Sequence, residues 1–189
     1  MASPIAHSLI GLALGLIRFL PCYRYWDELA DQFRMLWRPL LFCILLANLP
    51  DLDYFFGIFR GNLNYYHQTV THTLVWISVT ALMIWTYGRL RKRQTVYWPL
   101  GLLLALLGSH LLVDWLTVDH SPPIGFMLLW PFTDHFYHAT FAFLPPPAKQ
   151  TMSDVWSLQN LRMVLMETVI TLPLVIVVLW FKRWHLRAG

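Results

Sequence analysis

Five apolar runs, at residues 4–20, 39–59, 70–87, 96–118 and 161–181, occupy more than half of this 189-residue chain and leave it few ways to fold. A helix needs roughly 20 apolar residues to cross a bilayer, and it satisfies its own backbone polar groups while doing so. The third, fourth and fifth runs meet that length. The first opens on Ser3-Pro4, an N-cap followed by proline at the first helical position, and the second carries Asn48, Asp51 and Asp53 within it. Hydrophobic residues make up 57% of the chain and charged residues only 13%, about half the share usual in a soluble domain, so the expected solvent is lipid. No repeat or linker-like stretch divides residues 1–189, which read as a single membrane-embedded domain. Residues 3–20 lack a basic leading segment and a small-residue cleavage pattern, so this run is expected to be retained.

Between the first two runs Trp26, Leu29, Ala30, Phe33, Leu36 and Trp37 recur at helical spacing, with Asp27, Glu28, Asp31 and Arg34 between them. That pattern predicts an interfacial amphipathic helix. The expected fold is therefore all-α: a polytopic membrane helix bundle of about five membrane-embedded helices plus one interfacial helix. Its orientation follows from the basic residues. Arg89, Arg91, Lys92 and Arg93, with Lys182, Arg183 and Arg187, mark a cytoplasmic side, and threading the chain from there adds Arg18, Arg24, Arg34 and Arg38. Arg60, Lys149 and Arg162 fall outside, and the N-terminus is expected out with the C-terminus cytoplasmic. Basic residues that flank apolar runs serve topology, which removes nucleic acid as a partner despite the net charge of +4. Cys22 and Cys43 lie in unlike surroundings, so neither a disulfide nor a thiolate metal site is expected.

Histidine and aspartate gather at the opposite, outer end. Counting about 1.5 Å per residue from the cytoplasmic boundaries puts His72 about 22 Å up, His110 about 20 Å, His7 about 17 to 20 Å and Glu167 about 22 Å. Three helices thus deliver histidine to one depth, below the surface of a hydrocarbon core about 30 Å thick. His110 and Asp114, four apart, share a helix face. Asp51 and Asp53 follow Pro50 at a helix end or break that can turn both toward a cation, and His67 and His72 flank a helix start with Thr69 or Thr71 at hand as cap or outer-shell acceptor. Mixed imidazole and carboxylate ligands favour zinc, with manganese or iron also suited, and the surplus of donors points to two or three ions. The outer segment 119–160 holds Asp119, His120, Asp134, His135 and His138, of which His120 is the best candidate. Its short apolar runs, 124–132 and 136–144, suggest a re-entrant or interfacial lid.

The chain resembles the YdjM-like, or LexA-regulated, family of bacterial inner-membrane proteins regarded as metal-dependent hydrolases. The resemblance is carried by Ala6-His7-Ser8-Leu9-Ile10-Gly11, Leu49-Pro50-Asp51-Leu52-Asp53, His67 through His72, Gly108-Ser109-His110-Leu111-Leu112-Val113-Asp114 and Trp130-Pro131-Phe132. Where the family usually has Arg-Gly after the first histidine of the third motif, this chain has Gln68 and Thr69. More distantly, the order of these residues is similar to that of the zinc-dependent phospholipase C and P1 nuclease superfamily of all-helical enzymes. That resemblance implies His7, Asp51, Asp53, His67, His72, His110, Asp114 and His120 as ligands and phosphoester cleavage as the reaction.

The expected function is a metal-dependent hydrolase, similar to a phospholipase C or phosphatase, in the bacterial inner membrane. A bound cation activates water against a phospholipid or other lipid phosphate entering from the outer leaflet. Asp51 or Asp53 takes the water's proton, and Arg60 meets the anionic headgroup. No protein partner is expected. The competing classes are a metal transporter, which needs a polar path below the cluster, and a non-catalytic scaffold or pH sensor in which the histidines only titrate.

Overall fold

The computed structural model describes residues 2–61, 65–91, 98–120, 124–148 and 151–184; Lys92 and Arg93, the start of the fourth apolar run, Lys149 and Arg187 lie outside them. Six α-helices carry the fold: α1 (Pro4–Phe19), α2 (Trp26–Ala47), α3 (Asp53–Ile58), α4 (Leu74–Leu90), α5 (Leu100–Trp115) and α6 (Leu158–Trp184). Among the described residues there is no strand, only two isolated bridges. Ser3 caps α1, its side chain accepting the Ala6 N–H, and Pro4 takes the first position, where its missing N–H costs nothing.

α1 lies almost backbone to backbone on α2. A Cβ added at Gly11 would sit 2.8 Å from both the Ala47 Cβ and the Cys43 carbonyl oxygen, and one at Gly15 would sit 3.0 Å from the Cys43 Sγ. Small residues facing one another let two helices pack this closely. Gly11→Val therefore forces α1 away from rigid backbone and is expected to cost about 1–3 kcal/mol or more, read as a lower melting temperature in detergent. Gly101→Ala, at a glycine with nothing within 4 Å, is the control that should melt like the parent.

The expected separate interfacial helix is corrected by the structure: residues 26–47 form one continuous helix that runs through Pro39. The buried face explains this. Leu29, Pro39, Leu40, Cys43, Leu46 and Ala47 are buried along α2, so the packing stripe continues across the proline and offsets the backbone hydrogen bond that it removes. α2 ends at Asn48, whose Nδ2 donates to the Ile44 carbonyl and to the Ser8 hydroxyl of α1. A 3-10 turn, Leu49–Leu52, follows, and α3 leaves at a bend of 64°.

Beneath this break Cys43, Leu46, Ile77, Ala81, Leu103, Leu106, Leu107 and Leu111 form the main core. After α5, the described residues 116–120 and 124–148 contain no helix, and the next is the 3-10 turn Met152–Trp156. Phe126 and Tyr137 exchange backbone hydrogen bonds, Leu74 N–H donates to the Leu128 carbonyl, and Phe126 is buried against the core near His72 and Trp115. Gly125, at φ +89°, has no room for a side chain, because a Cβ there would strike the Tyr137 carbonyl. α6 buries Met163, Glu167, Thr171 and Val175, one residue per turn, chiefly against α1 and leaves its other faces exposed. By length and composition α6 can cross a membrane, and so can α2 with α3 if the bent pair counts as one span. α1, α4 and α5, at 16 or 17 residues, are shorter apolar helices. Cys22 and Cys43 are both free thiols.

Candidate metal centre

The broken end of α2 is what brings two acids to one place. Residues two apart on an α-helix point to different sides, but Asp51 lies in the 3-10 turn and Asp53 opens α3, so the change of helix type turns both carboxylates inward. α5 contributes His110 and Asp114 from one face, and the 3-10 turn Val70–His72 places His72 between the two pairs. Asp51, His72, His110 and Asp114 offer ligand atoms that all lie within 4.8 Å of one another, as do those of Asp53, His67 and His72. His72 belongs to both groups.

Proton positions follow from the partners. His110 Nδ1 lies 2.8 Å from the Ala47 carbonyl, which can only accept, so this nitrogen carries the proton and Nε2 is left with its lone pair. Thr71 donates its hydroxyl to Asp53 Oδ2 at 2.7 Å and sits 3.0 Å from His72 Nδ1, so it accepts from that nitrogen and His72 Nε2 is likewise bare. These two bare nitrogens face each other at 3.2 Å. Asp51 Oδ1 lies 3.3 Å from His110 Nε2, and Asp114 Oδ2 lies 3.4 Å from the Nε2 of both His72 and His110. With both rings neutral, four electron-pair donors thus converge, an arrangement that a cation would hold together.

The second group is tied more tightly. His67 Nδ1 donates to Asp53 Oδ1 at 2.7 Å, while Asp53 Oδ2 also lies 3.3 Å from His72 Nδ1. Burial pulls the His67 imidazole below its usual range against the opposing pull of Asp53, which keeps the ring neutral with an unpartnered Nε2. Tyr54 stacks on that ring at 4.2 Å. His7 joins from α1, stacked on His110 at 3.8 Å with Nε2 3.3 Å from Asp114 Oδ1, at the edge of the first group. All seven side chains are buried or nearly so, and among the described residues the ion pairs of these three carboxylates are with imidazoles alone. Both oxygens of Asp51 and Oδ2 of Asp114 have no hydrogen-bond partner. These acids are withdrawn from water without a lysine or arginine beside them among the described residues, the group could hold a metal ion, and its oxygen and nitrogen donor set suits zinc, manganese or iron.

Of the eight ligands expected from the sequence, the structure gathers seven. His120 is exposed and stands outside both groups, because the chain turns away after Thr117 to pair with Leu144. Asp134, His135 and His138 are exposed on the outer segment, and Asp119 accepts from Gln68 Nε2 at 3.1 Å and from Gly125 N–H at 3.3 Å. Gln68, which stands where the family pattern has arginine, is buried at φ +64° and faces Asp119. Arg60 lines a cavity of about 460 Å³ with Asp53, Phe56, Phe59, Tyr66, Thr69, Val70 and Thr71. The Ala47 carbonyl, Tyr54 and the fixed Ser3–Glu167 contact were not foreseen. A backbone carbonyl leaves no mark in residue type, and Tyr54 looks like any other aromatic of an apolar run.

The helices and this buried ring of imidazoles and carboxylates define an all-α protein with a candidate metal centre at one end of its core. The chain belongs to the YdjM inner membrane protein family, whose model matches residues 1–186. No curated protein and no solved structure matches it.

Proposed function

We propose that this protein is an integral-membrane, metal-dependent hydrolase that cleaves a phosphoester of a phospholipid or other lipid phosphate. The observation that carries the proposal is the convergence of Asp51, His72, His110 and Asp114, in which both oxygens of Asp51 have no hydrogen-bond partner. In this reading those four residues would hold one ion, zinc by preference, with His72 using Nε2, and a second ion held by Asp53, His67 and His72 would take the place of the proton on His72 Nδ1. The bound cations polarise the phosphoryl oxygen, lower the pKa of water and stabilise the leaving oxygen. Asp51, with 10% of its side chain exposed, is the carboxylate placed to accept a proton from that water. Arg60 supplies the positive charge for the anionic head in the cavity beside Asp53, and Phe56, Phe59 and Val70 line the same cavity for the apolar part. Phe55, Phe56, Ile58 and Phe59 expose a hydrophobic face on α3 and just beyond it, which suits entry from lipid.

The membrane arrangement in this proposal has five embedded segments: α1, the bent pair α2 and α3, α4, α5 and α6. The N-terminus lies outside, the C-terminus is cytoplasmic, and the centre opens toward the outer leaflet. α1, α4 and α5 are about 24–26 Å long and end within the hydrocarbon, where polar side chains from neighbouring segments meet them. A transit role has less support, since the core cluster beneath the centre, including Leu46, Leu103, Leu106 and Leu107, is apolar and carries no charged residue.

The test is purification in mild detergent, metal analysis, and release of product from a panel of lipid phosphoesters with and without chelator. Wild type that folds but takes up no transition metal ends the proposal. Arg60→Ala is expected to raise KM about tenfold for an anionic lipid phosphate while kcat changes little, as loss of one charge-assisted contact should. An equal fall in kcat would mean that Arg60 acts in the chemical step instead.

A further inference from the structure

Glu167 is the lone acid of α6, fully buried in a helix whose surface is otherwise largely exposed. Its Oε2 accepts the Ser3 N–H at 2.8 Å, and its Oε1 is buried without a hydrogen-bond partner. The neighbouring amide goes elsewhere: Ala2 N–H donates to Asp114 Oδ1, also at 2.8 Å. Two consecutive peptide N–H groups ahead of α1 are thus shared between acids on two different helices, α6 and α5. Ser3 is also the N-cap of α1, and His7, one turn further on, is the ring stacked on His110. Whatever fixes Ser3 therefore fixes both the amide that holds Asp114 and the start of the helix that carries His7.

We propose that Glu167 is a positioning residue of the metal centre, acting through Ser3 to hold the strap that orients Asp114. The proposal rests on the metal reading above. An N–H bond to Oδ1 sets the plane of the Asp114 carboxylate, and that leaves Oδ2 turned toward His72 and His110, 3.4 Å from each. Glu167 is not among the groups whose ligand atoms cluster within 4.8 Å, so its path to the centre is the strap and not direct ligation. A carboxylate in this seam is expensive, since its second oxygen gains no bond. An apolar side chain would pack the seam at lower cost but could not hold the Ser3 amide.

The test is zinc titration of the full chain in detergent, with helical circular dichroism and the metal-free melting temperature recorded for each variant. Glu167→Ala is expected to weaken zinc binding 10- to 100-fold, the usual cost of losing an outer-shell partner. Glu167→Gln, whose amide oxygen can accept the same N–H, should stay within about threefold of wild type. Ser3→Pro, which has no N–H, should match Glu167→Ala, and the double variant should be no worse than either alone. Ser3→Ala loses the cap but keeps the amide, and it should bind zinc like wild type. Should Glu167→Ala fail to fold, Ser3→Pro against Ser3→Ala decides the matter. Unchanged affinity in Glu167→Ala overturns the proposal, as does a loss in Glu167→Gln equal to that in Glu167→Ala, which would mean the charge itself is used. Wild type without zinc binding would sink the metal reading, whereas wild-type binding that survives Glu167→Ala sinks this inference alone.

Discussion

His72→Ala is expected to leave the purified protein without transition metal, whereas His67→Ala is expected to keep the ion of the Asp51, His72, His110 and Asp114 group. The difference comes from the place of His72 between the two groups: its Nε2 faces Asp51, His110 and Asp114, and its Nδ1 faces Asp53. Removing it takes a donor from each group and also unties Thr71, which bonds both His72 and Asp53. His67 touches chiefly Asp53, and its loss leaves the ring of Asp51, His72, His110 and Asp114 whole. The affinity lost in His72→Ala should exceed the roughly 10–100-fold that an outer-shell change costs, because a donor to the ion itself has gone. Elemental analysis after gel filtration, with circular dichroism to confirm helix content, reads both variants. Equal stoichiometry in the two would show that His72 is not shared.

Asp51→Asn is expected to make the metal-free protein more stable and the metal-loaded protein inactive. Without a cation the first group sets two carboxylates and two bare imidazole nitrogens against one another in a buried space. Replacing one carboxylate by an amide removes a buried charge and supplies N–H donors for those lone pairs, worth on the order of 1 kcal/mol or more in the metal-free state. The stabilisation that wild type gains from zinc, which grows with free metal as mass action requires, should shrink in the variant. Activity should fall about 10²–10⁴-fold if Asp51 is the proton acceptor. Thermal melts with and without chelator, beside initial rates on a lipid phosphoester, measure both effects. A metal-free Asp51→Asn protein that melts below metal-free wild type would contradict this account of the centre.

The clustering of these imidazoles and carboxylates was legible because chemistry and depth agreed. Imidazoles and carboxylates are costly within apolar runs, and counting helix rise put His7, His72 and His110 on one level, where the structure has His7 stacked on His110 and His110 edge-on to His72. The helix over residues 4–19 was equally plain, from Ser3-Pro4 at its start. His120 misled because its histidine type and closeness to α5 say nothing about the direction of the chain after Thr117, which pairing with Leu144 decides. The single long α2 was hidden by Pro39, whose penalty is local while the packing that outweighs it comes from α1. Glu167 was at the right depth by count, but its contact with Ser3 spans 164 residues of sequence and leaves no local signal.

The seam that joins α6 to the rest of the molecule bears on how the chain is assembled. Before it packs on α1, α6 carries an acid within an apolar surface, and the Ser3 amide relieves it. The brace thereby joins α6 to the residues ahead of α1, so a chain truncated before α6 would lack it.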